Sequence, residues 1–488
     1  MTECVSEVII DRGRDKLHEE CGVFGIASPP GSDVNAAYET FMGLFSLQHR
    51  GQESCGIAVN DSGVIRCYKN QGLLMDVFGE KSLRRLKGHS AIGHVRYSTT
   101  GDSLIENAQP IAVSHIKGNL AIAHNGNLVN AGSLRHDIEM QGGIFQSTGD
   151  SEIIAYTMVR ERLRSESIQD ALKKTMALIK GAYSLLAMSP RKVIAARDPN
   201  GYRPLSIGTL RGNYIFASET CAIDAVGGKY LRDVQPGEIV VVENGELKSM
   251  DSGLEKHRSF CSFEFIYFSR PDSKLEGISV EMTRRKMGKA LAVESGVPAD
   301  AVVAVPDSGL SAAVGYSEQS GLPNIMGLVK NRYIGRTFIQ PSQGQRERDV
   351  RLKLNPLSAN IRGKRIVLID DSIVRGTTSA MIVSALREAG ALEVHMRVSA
   401  PPFRYPCYFG TDVPDSERLI AAGRSEADVA ALLGVDSLAY LSHDTLSNIL
   451  EDEGCPVCTA CFSGKYDIEL PETADTDFSR KPIINVQG

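Results

Sequence analysis

The stretch that decides the fold is Arg365-Ile-Val-Leu-Ile-Asp-Asp-Ser-Ile-Val-Arg-Gly-Thr-Thr-Ser379. Its first five residues predict a short buried strand, and the run from Ser379 to Glu388 predicts a helix. Between them lie two acids and a loop of small residues, whose backbone N–H groups we expect to face one concavity. A phosphate group suits that concavity, because it lies at a helix N-terminus and Gly376 lets the backbone approach closely. Asp370 and Asp371 follow the strand, where they can face hydroxyls or hold Mg²⁺.

Two more strands surround this unit in the second half of the chain. Ala301–Val305 predicts a buried strand followed by a loop and a helix from Ser311, and Glu393–Val398 predicts a third strand. Strands that alternate with helices at this spacing indicate a doubly wound parallel sheet.

The first half of the chain has a different pattern. It contains many short β-rich runs bounded by Gly, Asn or Asp, and two helical runs, Asp150–Val159 and 167–179. This mixture predicts a layered α+β domain. The β-rich runs are 22–26, 56–59, 120–123, 193–196 and 238–242.

Composition excludes several classes of protein. The chain has 488 residues, of which 42% are hydrophobic and 23% charged, so it is not a mostly disordered chain. The formal net charge of −5 argues against a general nucleic-acid binder, and no run of 18 uncharged apolar residues predicts a membrane span. The acidic first twenty residues match neither a signal peptide nor a mitochondrial presequence, so we expect a cytoplasmic protein.

The quoted stretch closely resembles the phosphoribosylpyrophosphate (PRPP) motif of type I phosphoribosyltransferases. The resemblance implies that Asp370 and Asp371 bind the ribose hydroxyls and Mg²⁺. It also implies that the loop holds the 5-phosphate through Arg375, Gly376, Thr377, Thr378 and Ser379. The earlier loop Val305–Gly309 resembles the one that faces pyrophosphate, with Ser308 near the metal.

A basic segment lies between these two loops. Lys330–Lys353 holds seven bases and two acids. On its own it is typical of an exposed basic loop, but beside a PRPP site we expect a lid that closes over the polyanion and excludes water.

A second chemistry is indicated near the N-terminus by Cys21-Gly-Val-Phe-Gly-Ile26. A lone Cys before a strand is usually a buried core thiol. If cleavage made it the N-terminal residue, however, its own α-amine could take the thiol proton, and no His partner would be needed. Four polar stretches follow downstream, at 47–53, 93–98, 124–128 and 149–152.

Together these stretches resemble the N-terminal-nucleophile (Ntn) glutaminase domain of class II glutamine amidotransferases. The resemblance implies that Cys21 is the nucleophile, and that Asn125 and Gly126 form the oxyanion hole. Arg96 and Asp150 then hold the α-carboxylate and α-ammonium of glutamine. We expect His94 and His124 to be structural.

Both halves together resemble the glutamine phosphoribosylpyrophosphate amidotransferases. The resemblance implies an α/β/β/α Ntn-hydrolase sandwich followed by an α/β phosphoribosyltransferase domain with a parallel sheet. It places a leader propeptide at 1–20, the glutaminase domain at 21–255, and the phosphoribosyltransferase domain with a Cys-rich end at 256–488. The implied reaction turns glutamine and PRPP into phosphoribosylamine, glutamate and pyrophosphate, with ammonia channelled between the sites. The family also implies feedback by purine nucleotides and a homo-oligomer, either a tetramer or a dimer.

The ten cysteines are too sparse for a disulfide scaffold. Cys455-Pro-Val-Cys-Thr-Ala-Cys461 contains two overlapping C-x-x-C pairs, which from the residues alone fit zinc, an iron–sulfur cluster or redox exchange. One branch of the family has both a leader and a [4Fe–4S] cluster. That resemblance implies the ligands Cys261, Cys407, Cys458 and Cys461, with Cys455 as a spare. We expect Cys55, Cys67 and Cys221 to pack as small apolar residues.

Other functions are weaker matches. Glucosamine-6-phosphate synthase and asparagine synthetase share the glutaminase half, but the PRPP motif argues against both. A purine-sensing transcription regulator with a PRPP motif predicts a DNA-binding helix pair and a basic face, which this sequence lacks. A degenerate scaffold would lack some catalytic groups, whereas all of those named above are in place.

Overall fold

Two antiparallel sheets form the first half of the chain in the computed structural model, which describes residues 21–97, 104–331, 354–411, 413 and 416–470. One sheet has the strand order β11-β9-β10-β1-β4-β2-β3, and the other β13-β12-β8-β7-β6-β5. The strands are β1 Gly22–Ala27, β2 Ser54–Asp61, β3 Val64–Gln71, β4 Ser90–Arg96, β5 Ile111–His115, β6 Gly118–Leu128, β7 Gly181–Met188, β8 Lys192–Arg197, β9 Ser206–Leu210, β10 Asn213–Ala217, β11 Lys229–Asp233, β12 Glu238–Glu243 and β13 Glu246–Asp251.

Helices cover the outer face of each sheet. They are α1 Ala36–Ser46, α2 Leu74–Val77, α3 Glu80–Arg85, α4 Ala131–Met140, α5 Asp150–Leu163, α6 Ile168–Leu178 and α7 Thr220–Ala225, with 3-10 turns at Gln48–Arg50 and Ile105–Asn107.

The period-two pattern of the strands explains the layers. In β1, Phe24 and Ile26 pack toward the helices, whereas Val23 and Ala27 pack into the core between the sheets. Side chains alternate across a strand, so a central strand that is apolar on both faces must be covered on both. The result is the α/β/β/α sandwich, which confirms the fold predicted for this half.

The second half follows from Phe260 onward. Its strands are β14 Phe260–Cys261, β15 Lys274–Leu275, β16 Ile278–Ser279, β17 Ala301–Ala304, β18 Leu328–Lys330, β19 Leu354–Pro356, β20 Arg365–Asp370, β21 Glu393–Val398, β22 Ser437–Tyr440 and β23 Val457–Cys458. Its helices are α8 Val280–Ser295, α9 Leu310–Ser320, α10 Ser358–Ile361, α11 Thr377–Glu388, α12 Glu426–Leu433, α13 His443–Glu451 and α14 Ala460–Ser463, with a π-helix at Glu264–Phe268 and a 3-10 turn at Ser416–Arg418.

A parallel sheet in the order β17-β20-β21-β22 forms the centre of this half. The neighbouring strands β17 and β20 end at the same edge, and the loops that carry Ser308 and Asp371 follow them directly. The predicted α/β domain with a parallel sheet is therefore confirmed.

Two segments predicted from the sequence lie wholly or largely outside the described residues. They are the leader 1–20 and the proposed lid, of which only Lys330 and Asn331 are described. Beyond Tyr466, the partly buried Ile468 and Leu470 pack against a buried cluster around Phe409. Within the described residues, no helix combines the length and apolar character needed to cross a bilayer.

Candidate functional sites

Cys21 lies just before β1, at the wall of a small pocket. Its side chain is buried, and its Sγ lies 3.4 Å from the carbonyl oxygen of Tyr97. Arg96, Gly126 and Asp150 form part of the same wall. The pocket has a volume of about 20 Å³.

Asn125 and Gly126 lie on β6, beside this pocket. Asn125 does not line it, but its buried Nδ2 has no hydrogen-bond partner within the described residues. Side chains alternate along a strand, so Asn125 lies on the same face of β6 as Ala123, and Cys21 lies on the same side as Val23. Ala123 and Val23 both pack between the sheets, so Asn125 and Cys21 are on the inner side of their sheets. An unpaired buried donor costs about 1–3 kcal/mol, so its retention indicates a use.

Gly126 cannot be replaced without strain. Its φ is +143°, and a Cβ atom there would lie 2.0 Å from the carbonyl oxygen of Ala182. Only glycine therefore lets β6 approach β7 this closely beside the pocket that Cys21 lines.

Asp150 begins α5 and is held as a carboxylate. It accepts a hydrogen bond from the Leu128 N–H (3.0 Å), and its Oδ1 lies 3.4 Å from His124 Nδ1. Burial alone would raise its pKa, but His124 and these hydrogen bonds together hold the pKa below its ordinary value. A buried anion at the pocket wall suits a substrate ammonium. Arg96 lies at the other side, with its Nη1 4.0 Å from Glu53 Oε2.

The two histidines of this region are deeply buried. His94 Nε2 donates to the backbone carbonyl of His124 (3.0 Å), and burial lowers the pKa of His94 to about 3. His94 is therefore neutral and does not line the pocket, whereas His124 forms part of its wall.

A larger cavity of about 610 Å³ opens at the carboxyl edge of the parallel sheet. Its wall includes six of the residues predicted for PRPP and magnesium: Ser308, Asp370, Asp371, Gly376, Thr378 and Ser379. Arg375 and Thr377 were also expected to face it but are not part of the wall. The buried Nη1 of Arg375 has no partner among the described residues.

The turn into α11 depends on Gly376. Its φ is +82°, and a Cβ there would lie 2.3 Å from Ile420 Cδ1. Glycine thus allows the left-handed turn and brings the backbone close to the floor of the cavity.

The acid pair supplies hard oxygen ligands. Asp370 and Asp371 are only 7% and 5% exposed, yet both border the cavity. Ser372 Oγ donates to Asp371 Oδ2 (2.6 Å), and the Asp371 N–H donates to Asp370 Oδ1 (3.0 Å). With Ser308 across the cavity, this donor set fits Mg²⁺.

The C-terminal cysteines lie together at the join of the two halves. Cys261 and Cys458 are direct neighbours on the paired strands β14 and β23. Burial, and then the proximity of Cys407, Cys458 and Cys261, raises the pKa of Cys461 well above its ordinary value. The Phe409 N–H donates to Cys407 Sγ (3.4 Å). Within the described ranges, no three His, Cys, Asp or Glu side chains are arranged to hold a single metal ion.

The sequence of this chain matches a known protein family and several known proteins. A family model described as "Glutamine amidotransferase domain" matches residues 94–225. An amidophosphoribosyltransferase of Bacillus subtilis is 48% identical over 459 residues, covering 93% of this chain and 95% of the relative. One of Methanocaldococcus jannaschii is 47% identical over 465 residues, covering 92% and 98%. The chain belongs to the amidophosphoribosyltransferase family.

Solved structures of similar proteins support this assignment. A glutamine PRPP amidotransferase from B. subtilis, complexed with ADP and GMP, matches with a TM-score of 0.86 at 47% identity, covering 93% of this chain and 98% of that one. A second structure, described as the allosteric regulatory enzyme of purine biosynthesis, matches with a TM-score of 0.87 at 48% identity, covering 93% and 97%. Both halves of the amidophosphoribosyltransferase architecture are therefore present in one chain.

Sequence reasoning missed the charged groups at the join of the two halves. Arg50, Glu219 and Glu264 have side chains with no exposed surface, and they bind one another between the glutaminase pocket and the PRPP cavity. Arg50 belongs to the stretch 47–53 that carried the resemblance, but nothing in its spacing indicated burial.

Proposed function

We propose that this amidophosphoribosyltransferase transfers ammonia from glutamine to PRPP, giving 5-phosphoribosylamine, glutamate and pyrophosphate, the first step of purine biosynthesis. The observation that supports this most directly is the presence of two different sites in one chain. One is a pocket around the Cys21 thiol, and the other is a 610 Å³ cavity around Asp370 and Asp371.

In the glutaminase step, Cys21 Sγ attacks the side-chain amide of glutamine. Its own α-amine takes the thiol proton, once residues 1–20 are removed. Asn125 Nδ2 and the Gly126 N–H stabilise the negative charge that develops on the amide oxygen. Arg96 and Asp150 hold the α-carboxylate and α-ammonium. Ammonia leaves, and water then releases glutamate from the thioester.

In the transfer step, ammonia displaces pyrophosphate from C1 of the ribose. The loop 375–379 holds the 5-phosphate through its N–H groups, Thr378 and Ser379, and the acid pair orients the ribose hydroxyls. Mg²⁺, when bound by Asp370, Asp371 and Ser308, offsets negative charge on the phosphate oxygens. Ammonia is mostly protonated in neutral water, so a closed path between the sites preserves its nucleophilic form.

We further propose a [4Fe–4S] cluster held by Cys261, Cys407, Cys458 and Cys461. Four partly buried thiols that lie near one another, with an N–H bonded to one sulfur, would suit such a cluster. The transfer reaction moves no electrons, so we propose that the cluster is structural or oxygen-sensing.

The remaining proposals concern organisation. We place the domain boundary between residues 255 and 256, with a leader ending at residue 20. Nucleotide feedback is supported by the ADP and GMP complex of the similar B. subtilis enzyme. We propose a cytoplasmic homo-oligomer, whose subunit number can be measured by light scattering.

The test is glutamate release from glutamine with and without PRPP and Mg²⁺, on protein purified without oxygen, with pyrophosphate measured in parallel. We expect glutamate release to rise with PRPP and to match pyrophosphate. Glutamate release that is independent of PRPP and yields no pyrophosphate would leave a glutaminase with a different acceptor. Intact-mass measurement shows in the same sample whether Cys21 is N-terminal.

A further inference from the structure

One buried carboxylate joins the surroundings of the two sites. Glu219 has no exposed surface, and its Oε1 accepts from His49 Nε2 (2.7 Å) and from Arg50 Nη1 (2.8 Å). His49 and Arg50 are consecutive residues, but the His49 side chain lines the PRPP cavity and the Arg50 side chain contacts the main chain of Cys21.

His49 lines the PRPP cavity although it belongs to the glutaminase half. Its Nδ1 lies 3.1 Å from the carbonyl oxygen of Ser46, and its Nε2 faces the Glu219 carboxylate. His49 therefore contacts the main chain of its own segment through one ring nitrogen and the Glu219 carboxylate through the other, at the wall of the cavity.

Arg50 leads to the nucleophile. Its Nε donates to the backbone carbonyl of Cys21 (3.1 Å). Its two terminal nitrogens also donate to Glu264, at 2.9 and 2.6 Å. The guanidinium is therefore fixed by two carboxylates while it holds the main chain of Cys21.

Both carboxylates also accept hydrogen bonds from residues of the PRPP cavity wall. Glu219 Oε2 accepts from the Arg270 N–H (2.9 Å), and Glu264 Oε2 accepts from Ser269 Oγ (2.8 Å). Ser269 and Arg270 both line the cavity. Each carboxylate thus contacts both Arg50 and a cavity residue, and in Glu264 the same Oε2 accepts from Arg50 Nη1 and from Ser269 Oγ.

We propose that His49, Arg50, Glu219 and Glu264 form a relay that makes the position of Cys21 depend on occupancy of the PRPP cavity. They are positioning residues, since none of them is a reacting group. The relay rests on the proposed function, and it names the side chains that carry the coupling between its two half-reactions.

The contacts give the relay a direction from the cavity to Cys21. A polyanion that accepts a hydrogen bond from His49 Nε2 competes with the pairing of His49 to Glu219. Glu219 then interacts more strongly with Arg50, whose Nε fixes the Cys21 carbonyl. Because coupling between two binding sites is reciprocal, glutamine bound beside Cys21 must strengthen PRPP binding by the same factor.

The experiment measures the stimulation factor, defined as glutamate release with saturating PRPP and Mg²⁺ divided by release without them. Ammonia-dependent pyrophosphate release and thermal unfolding are measured on the same samples. We expect Glu219→Gln to lower the stimulation factor about tenfold or more, within the usual range of coupling energies. The effect should be seen mainly in the KM for glutamine, while pyrophosphate release from added ammonia stays within about twofold of the unmodified protein.

Glu276→Gln is the matched control. Glu276 is a mostly buried carboxylate that pairs with Arg197 (2.7 Å) and Arg258 (2.8 Å), but it is not part of the cavity wall. We expect this variant to lose thermal stability and keep its stimulation factor. If Glu219→Gln does not fold, His49→Gln decides alone and must show the same reduced stimulation.

The outcomes separate the relay from the proposed function. An unchanged stimulation factor in Glu219→Gln and His49→Gln refutes the relay, and so does an equal loss in Glu276→Gln. An unmodified protein with neither glutamate release nor ammonia-dependent pyrophosphate release refutes the proposed function, and the relay with it.

Discussion

Replacing Asn125 with alanine should remove activity without removing stability. The buried Nδ2 of Asn125 has no partner among the described residues, which costs the folded protein about 1–3 kcal/mol. Alanine removes that cost but leaves a small cavity, worth about 1 kcal/mol. The two effects nearly cancel, so we expect the free energy of unfolding to change by less than about 1 kcal/mol, or to rise.

The effect on catalysis should be much larger. Loss of one oxyanion donor usually lowers kcat by about 10²–10³, equal to about 2.7–4 kcal/mol of transition-state stabilisation. The assay is PRPP-stimulated glutamate release, with ammonia-dependent pyrophosphate release as the internal reference. Only the first should fall, because Asn125 lies in the glutaminase half.

Asn60→Ala provides the matched control. Asn60 is equally buried, but its Nδ2 donates to the carbonyl oxygens of Pro190 (2.9 Å) and Ser189 (3.3 Å). This variant should lose about 1–3 kcal/mol of stability and keep its glutaminase kcat. If Asn125→Ala were instead as destabilised as Asn60→Ala and retained its glutaminase kcat, the oxyanion assignment would be refuted.

Three further predictions concern other parts of the molecule. Gly376→Ala should raise the KM for PRPP about tenfold or more, since the left-handed φ costs about 1–2 kcal/mol and the new Cβ overlaps Ile420; an unchanged KM would contradict the phosphate-loop assignment. His94 stays neutral when folded, with a pKa of about 3, while the unfolded chain takes up a proton below about pH 6.5. Stability should therefore fall as the pH falls below 6.5, by up to about 1.4 kcal/mol per unit; in urea unfolding at pH 7 and 5.5, His94→Gln should show a shallower loss than the unmodified protein. Cys458→Ser should lose the iron and visible absorbance of anaerobically purified protein, whereas Cys455→Ser should retain both, and the reverse result would exchange their roles.

The sequence predicted those parts of the fold that depend on local pattern. The apolar run 366–369, the acid pair and Gly376 lie within fifteen residues, so strand, turn and helix follow from short-range rules. The β-rich runs of the first half predicted a layered α+β domain, whereas the α/β/β/α order of its layers came only from the resemblance. Roles for Cys21 and Asn125 came only through resemblance, because no local rule reveals an unpaired donor in the folded state.

Long-range pairing of charges could not be predicted. Arg50 and Glu264 are 214 residues apart, and both types of side chain are normally exposed. Their burial depends on how the two halves pack, which no periodicity encodes. The direction of single side chains in the phosphate loop could not be predicted either. The resemblance placed Arg375 and Thr377 in the loop, but the structure shows that they do not line the cavity.

The contacts at the join imply that the glutaminase half depends on the second half for its shape. Asn127, next to Gly126 on β6, donates to the carbonyl oxygen of Tyr408 (2.9 Å), and Arg203 Nε donates to that of Phe409 (3.0 Å). The segment that contacts β6 next to Gly126 is thus the one that carries Cys407. Separating the halves would take Glu264 away from both Arg50 and Arg203, although Arg50 would keep its pairing with Glu219. Because Arg50 also holds the Cys21 carbonyl, we expect the pocket around Cys21 to lose part of its support when the PRPP-binding half is absent.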